Sequence, residues 1–134
     1  MSACYLDASS IVKLAADEAE SAGLRDWLRE RTFRLTSRVS SVEVLRALRR
    51  KGAASVENGT DALDAVLRSL SVIELDAPIA DQAATLGPDT LRSLDAIHLA
   101  SALAIGEQLE AFVTYDLRLA DAARASGLTV VAPA

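Results

Sequence analysis

Short apolar runs alternate with longer segments of helical periodicity along the chain. The runs are rich in β-branched and aromatic residues, which pack well in strands. They predict strands at Cys4–Leu6, Phe33–Thr36, Ser71–Leu75, Ala111–Thr114 and Leu128–Val131. In the intervening segments, apolar residues recur at helical spacing and predict helices, the clearest from about Ser93 to Ile105.

The alternation of strands and helices favours one fold class. Parallel strands joined by helices form a sheet that is covered on both faces. We therefore predict an α/β fold with three layers, α/β/α, around a central parallel sheet of four to five strands. A length of 134 residues is typical of one domain, and we expect a single domain over residues 1–134.

The composition narrows the chemistry. Hydrophobic residues make up 51% of the chain and charged residues 25%, as in folded globular proteins. Cys4 is the only cysteine and His98 the only histidine, which argues against an internal disulfide and a structural zinc site. We expect Cys4 to be buried and the protein to be cytoplasmic. We expect no membrane or targeting segment, because no apolar stretch approaches ~20 residues.

Charge is distributed unevenly along the chain. The net charge of −5 excludes nucleic-acid binding by overall electrostatic attraction. Residues 1–51 nevertheless carry 10 bases against 7 acids, and the rest carries 4 bases against 12 acids. Four of these bases form a run at the end of a predicted helix, Arg46, Arg49, Arg50 and Lys51. This run is either a solvated helix end, favoured by the helix dipole, or a basic patch beside an active site.

Four acidic residues fall where a parallel sheet binds ligands, outside the carboxyl ends of its strands. Asp7 and Asp116 follow the first and fourth strands, while Glu43 and Asp95 lie in the first turns of helices. Each has a structural alternative: Asp7 and Asp116 as helix N-caps, Glu43 as the capping-box partner of Ser40, and Asp95 as a first-turn acid. Together, however, converging carboxylates repel one another, and an oxygen-preferring divalent ion removes the conflict.

The segments around these acids resemble the motifs of PIN domains. The resemblance covers essentially the whole chain, and its specificity comes from the combination and order of the motifs. In this sequence they are Asp7–Leu14, Ser41–Leu48, Leu94–Leu103 and Thr114–Ala123. Within the family, the compact form is similar to the VapC toxins of bacterial toxin–antitoxin pairs.

The resemblance implies an endoribonuclease that depends on Mg²⁺ or Mn²⁺ and cleaves RNA phosphodiesters by means of metal-activated water. It implies that the acidic metal-binding positions are Asp7, Glu43, Asp95 and Asp116, with Ser9 and Thr114 as smaller polar positions beside them. It also implies a small antitoxin that covers the site, and a homodimer. The basic run is a candidate for holding the RNA backbone. The motifs leave open whether one or two ions bind, and which RNA is cleaved.

Two further residues have open roles. Asp121 lies five residues beyond Asp116, so the two do not share a helix face, and we interpret Asp121 as a solvated helix acid. His98 shares a face with Asp95 and is either a packed helix histidine, which we favour, or a general base.

Two alternative functions remain at this point. A catalytically silent PIN-like binding domain would keep the acids only as helix caps. A phosphoacceptor receiver domain also has an acidic Mg²⁺ pocket, but it needs a pair of acids at the first strand and a lysine after the fifth. Asp7 has no acidic neighbour and the last lysine is Lys51, so the receiver alternative is the weaker one.

Overall fold

A computed structural model describes residues 2–52 and 56–134. Its strands form one five-stranded parallel sheet in the order β3-β2-β1-β4-β5. The strands are β1 Ala3–Leu6, β2 Arg34–Ser37, β3 Ser71–Ile73, β4 Leu109–Val113 and β5 Val130–Val131. The predicted α/β fold with a central parallel sheet is therefore confirmed.

Within the described ranges, helices connect the strands and cover both faces of the sheet. They are α1 Ala8–Ala15, α2 Ser21–Leu28, α3 Ser40–Arg50, α4 Val56–Leu67, α5 Ala77–Thr85, α6 Ser93–Ile105 and α7 Leu117–Ala125. Helix α6 has the predicted limits. Glycine ends α6 and α7, because Gly106 (φ 76°) and Gly127 (φ 87°) adopt positive φ angles that other residues rarely allow. No helix in the described part of the chain is long and apolar enough to cross a membrane.

The central strand β1 shows how the sequence builds three layers. Its four residues are all buried, and alternate side chains point to opposite faces. Cys4 and Leu6 pack into a core with residues of α1 to α4, whereas Tyr5 packs into a second core with residues of α6 and α7. Burial raises the pKa of the Cys4 thiol to about 11, so this cysteine is a packing residue, as expected.

Two predicted strands are shorter in the structure. The third ends at Ile73, whose carbonyl accepts the Arg38 amide, and does not extend to Leu75. The chain turns there because Asp76 already caps α5 by accepting the Ile79 amide. The fifth strand comprises only Val130 and Val131, at the edge of the sheet.

The strand order places a crevice at the middle of the sheet. From β1 the chain first adds β2 and β3 on one side and then crosses to add β4 and β5 on the other. In open α/β sheets, such a reversal leaves a gap outside the carboxyl ends of the two central strands, where ligands bind. Here those strands are β1 and β4, which precede Asp7 and Asp116 in the sequence.

Candidate active site

Asp7 lies at the centre of a hydrogen-bond cluster at the end of β1. It caps α1 as predicted, since its Oδ1 accepts the Ser10 amide at 3.0 Å. The same oxygen accepts the Ser9 hydroxyl at 2.7 Å, and Oδ2 accepts the Thr114 hydroxyl at 2.6 Å. The residue is 3% exposed. These bonds compensate the burial of the carboxylate and hold it in one orientation.

Thr114 and Ser9 connect the two central strands. The Thr114 hydroxyl oxygen accepts the Asp116 amide at 3.1 Å, and the Ser9 hydroxyl oxygen accepts the Tyr115 amide at 3.0 Å. Asp116 in turn caps α7, because its Oδ1 accepts the amides of Arg118 and Leu119. The predicted supporting residues therefore join the loop after β1 to the loop after β4.

The expected capping box at Glu43 is wrong. Val39 already has helical angles (φ −62°, ψ −22°) and precedes α3 without a side-chain cap, so Ser40 belongs to the helix itself. The Ser40 hydroxyl bonds to the Thr36 hydroxyl at 2.7 Å. Glu43 is therefore free to face α6, where its Oε1 lies 2.6 Å from His98 Nε2.

His98 is packed, as predicted, but it also belongs to a hydrogen-bond chain that sequence reasoning missed. The ring is 1% exposed, and its second nitrogen, Nδ1, lies 2.7 Å from the Tyr5 hydroxyl. Tyr5, His98 and Glu43 thus link β1, α6 and α3. The available signals were indirect: Tyr5 lies two residues before Asp7, and His98 three residues after Asp95.

Asp95 brings the four carboxylates into one electrostatic group. It lies in the first turn of α6 and is partly buried. Burial raises the pKa of its carboxyl, and the negative charges of Asp116, Glu43 and Asp7 raise it further, against the influence of His98. All four predicted acids are therefore close enough for their charges to interact.

The donor set fits a hard divalent cation. All four side chains offer carboxylate oxygens, which Mg²⁺ and Mn²⁺ prefer. In residues 2–52 and 56–134, no lysine or arginine forms an ion pair with Asp7, Asp95 or Asp116. Over the same ranges, no three acidic, imidazole or thiol groups are clustered tightly enough to hold an ion without rearrangement. An ion that takes three of these ligands could therefore bind only if at least one of the side chains moved.

Part of the basic run borders the carboxylates. Glu43, Arg46 and Arg50 are three and four residues apart on α3 and share a helix face. All three line one cleft, together with Ser9, Val42 and Leu94. Arg49 and Lys51 are not among the residues lining this cleft, and Lys51 forms an ion pair with Glu18. Of the four acids, Glu43 is the one that lines this cleft, so the cleft has an acidic end at Glu43 and a basic end at Arg46 and Arg50.

Three exposed apolar side chains are next to site acids in the sequence, and two of them, Val42 and Leu94, line the cleft. Val42 is 60% exposed, Leu94 44% and Leu117 82%, and each is the direct neighbour in sequence of a site acid. Large apolar residues this exposed often mark a surface that another molecule covers. Asp121 lies outside the group, as interpreted, because it is exposed and pairs with Arg124 at 3.6 Å.

Comparison with known proteins identifies similar chains. The PIN-domain family profile matches residues 4–125. Ribonuclease VapC46 of Mycobacterium tuberculosis is 45% identical over 133 residues, which are 99% of each chain. The crystal structure of Mycobacterium tuberculosis VapC20, a sarcin-ricin loop cleaving toxin, superposes with a TM-score of 0.75 at 18% identity over 97% of this chain and 99% of that one. The structure of Rickettsia felis VapBC2 bound to a DNA fragment from its promoter superposes with a TM-score of 0.70 at 16% identity, over 98% of this chain and 99% of that one.

Proposed function

The chain belongs to the PIN-domain family, and we propose that it is a divalent-metal-dependent endoribonuclease that acts as the toxin of a toxin–antitoxin pair. The observation that best supports metal dependence is the effect of three of the carboxylates on the pKa of the fourth, Asp95. The pKa of Asp95 is raised in part by Asp116, Glu43 and Asp7, and no lysine or arginine of the described residues pairs with Asp7, Asp95 or Asp116 to offset this repulsion. A divalent cation supplies that compensation.

In this proposal Asp7, Glu43, Asp95 and Asp116 hold one or two Mg²⁺ or Mn²⁺ ions. An ion bound there would supply a water of lowered pKa and would neutralise charge on the phosphate. The chain's own contribution is to fix the carboxylates. Ser9 and Thr114 orient Asp7 through hydrogen bonds of 2.7 and 2.6 Å, and the capping amides of α7 orient Asp116.

The RNA backbone is proposed to cross the basic end of the cleft. Arg46 and Arg50 offer guanidinium groups on the face of α3 that carries Glu43. Guanidinium groups bind phosphates well because they donate two parallel hydrogen bonds. The net charge of −5 is compatible with this arrangement, because only a local patch has to be positive.

We expect Arg46→Gln combined with Arg50→Gln to weaken RNA binding in an inactive Asp7→Asn background. For single strands, the slope of log affinity against log salt concentration should become shallower by about 0.7 for each phosphate that the protein no longer neutralises. Fluorescence anisotropy over a salt series measures this slope. Arg68→Gln removes an exposed arginine near β3, outside the residues that line the cleft, and should leave the slope unchanged. Equal slopes for all variants would refute the proposed RNA path.

The antitoxin is proposed to cover the acidic end of the cleft. The exposed Val42, Leu94 and Leu117, each next to a site acid in the sequence, support this, since a protein partner buries apolar side chains of this kind. A homodimer and a cytoplasmic location belong to the same proposal. The capping bonds of Asp7 and Asp116 are the observation in favour of a catalytically silent binding domain. The receiver-domain alternative has no support, because the chain belongs to the PIN-domain family.

The proposed function is tested by RNA cleavage with the purified protein. We expect the protein to cleave total tRNA or rRNA fragments in the presence of Mn²⁺ or Mg²⁺. Cleavage should stop when EDTA is added and should return when the ion is restored in excess. Cleavage that persists in EDTA would contradict the metal requirement. A protein that neither cleaves RNA nor gains thermal stability with Mn²⁺ would support the silent-domain alternative instead.

A further inference from the structure

We infer that Tyr5 and His98 are positioning residues that hold the Glu43 carboxylate in the orientation needed to bind a divalent ion. This inference rests on the proposed function, because it assigns Glu43 to the ion site. It adds two residues outside the four acids. Neither residue is proposed to contact the RNA or the ion.

The direction of the hydrogen bonds follows from the groups involved. The Glu43 carboxylate only accepts, so His98 Nε2 carries the hydrogen in their 2.6 Å bond. In the neutral imidazole, Nδ1 then has a free lone pair and accepts the Tyr5 hydroxyl at 2.7 Å. A tyrosine hydroxyl has an ordinary pKa of about 10, so Tyr5 carries its proton at neutral pH and can donate this bond.

Tyr5 and His98, which form the buried end of this series of hydrogen bonds, are rigid. Tyr5 lies in the central strand, is 0% exposed and stacks on Phe112 with ring centroids 5.3 Å apart. The His98 ring meets the Tyr5 ring edge-on, at 5.8 Å and 74°. Packing on several sides leaves both rings a single orientation. The position of the Nε2 hydrogen is therefore set by the core of the protein.

Glu43, at the other end of this series of hydrogen bonds, is the residue that would move without it. The Glu43 side chain is 21% exposed at the edge of the cleft, so solvent would let a free carboxylate adopt several rotamers. His98 binds only one of its oxygens. The other, Oε2, forms no hydrogen bond to any of the described residues. A buried donor that fixes one oxygen and leaves the second available is typical of the groups that orient metal-binding carboxylates.

We expect Tyr5→Phe to lower the affinity for Mn²⁺ by about tenfold, and His98→Asn by more, toward a hundredfold. His98→Gln should recover part of the loss, because its amide nitrogen can donate from near the position of Nε2, whereas the shorter asparagine cannot. Isothermal titration calorimetry with Mn²⁺ alone measures each affinity. Circular dichroism shows which variants remain folded.

Two controls separate positioning from general damage. Ser21→Ala removes a buried hydroxyl that donates to the Ala16 carbonyl, outside the acid cluster, and should leave the Mn²⁺ affinity unchanged. Tyr5→Phe should have no further effect in a Glu43→Gln background, because the carboxylate it positions is gone. Independent, multiplicative losses for these two substitutions would overturn the inference.

The outcomes also separate this inference from the proposed function. If the unsubstituted protein binds Mn²⁺ and cleaves RNA, while folded Tyr5→Phe and His98→Asn bind Mn²⁺ equally well, the positioning role is refuted and the ribonuclease proposal stands. If the unsubstituted protein binds no Mn²⁺, both are overturned. Graded loss with partial recovery by His98→Gln supports the inference.

Discussion

Asp7→Asn is expected to reduce Mn²⁺-dependent RNA cleavage by at least about a hundredfold while the protein stays folded. Loss of a residue that merely orients a metal ligand costs roughly 10–100-fold, and loss of a ligand's charge should cost at least as much. Asparagine is as good a helix N-cap as aspartate, so the bond to the Ser10 amide can persist. The substitution thus removes the charge and keeps the local structure.

Asp76→Asn is the matched control for this experiment. Asp76 caps α5 in the same manner, by accepting the Ile79 amide at 3.0 Å, the distance found between Asp7 and the Ser10 amide. It lies at the start of a different helix, outside the group of four acids. Initial cleavage rates at saturating Mn²⁺, together with melting temperatures, compare the two variants. Equal rates would show that the Asp7 carboxylate acts only as a cap.

Asp95→Asn is expected to remove cleavage by a similar factor and, in contrast, to raise the stability of the metal-free protein at neutral pH. Burial and three neighbouring carboxylates make the charged form of Asp95 unfavourable in the folded state. A neutral amide of the same size relieves this repulsion. A residue that lowers stability and is needed for activity is typical of a functional site.

The stability gain has a predictable pH dependence. In the folded protein, Asp95 keeps its proton above the ordinary aspartate value of 3.8. Between 3.8 and the raised pKa, the folded state binds more protons than the unfolded state, so the stability of the unsubstituted protein falls as the pH rises through this window. The advantage of Asp95→Asn should therefore be small below pH 3.8 and full at neutral pH. Urea unfolding at several pH values measures it.

Mn²⁺ provides the second arm of this experiment. The ion should stabilise the unsubstituted protein more than Asp95→Asn, so that the difference in melting temperature shrinks or reverses at neutral pH. Asp121→Asn serves as the control, since Asp121 is exposed and outside the acid cluster, and it should change neither cleavage nor the response to Mn²⁺. The metal-free proteins give the deciding comparison. The melting temperature of Asp95→Asn minus that of the unsubstituted protein should be larger near neutral pH than in mild acid. A smaller difference near neutral pH would contradict the electrostatic explanation.

Local sequence signals were reliable wherever one residue type has a strong local preference. Asp7 and Asp116 cap the helices that follow them, and Gly127 follows the end of α7, because these roles depend on a few neighbouring backbone groups. The Glu43 capping box failed for a related reason. Whether Ser40 is the cap or the first residue of the helix depends on the angles of Val39, which the side-chain pattern does not specify.

The sequence by itself determined the fold class and the four candidate acids, because strand–helix alternation and the position of acids after strands are periodic, local features. Only the tertiary structure decided which acids lie together and which residues support them. Thr114 bonds to both Asp7 and Asp116 because β1 and β4 are neighbours in the sheet, although 109 positions separate the two acids in the sequence. Tyr5 and His98 meet, 93 positions apart, because the pleat of β1 points Tyr5 toward α6. Such pairings arise from packing whole elements against each other, which no local pattern records.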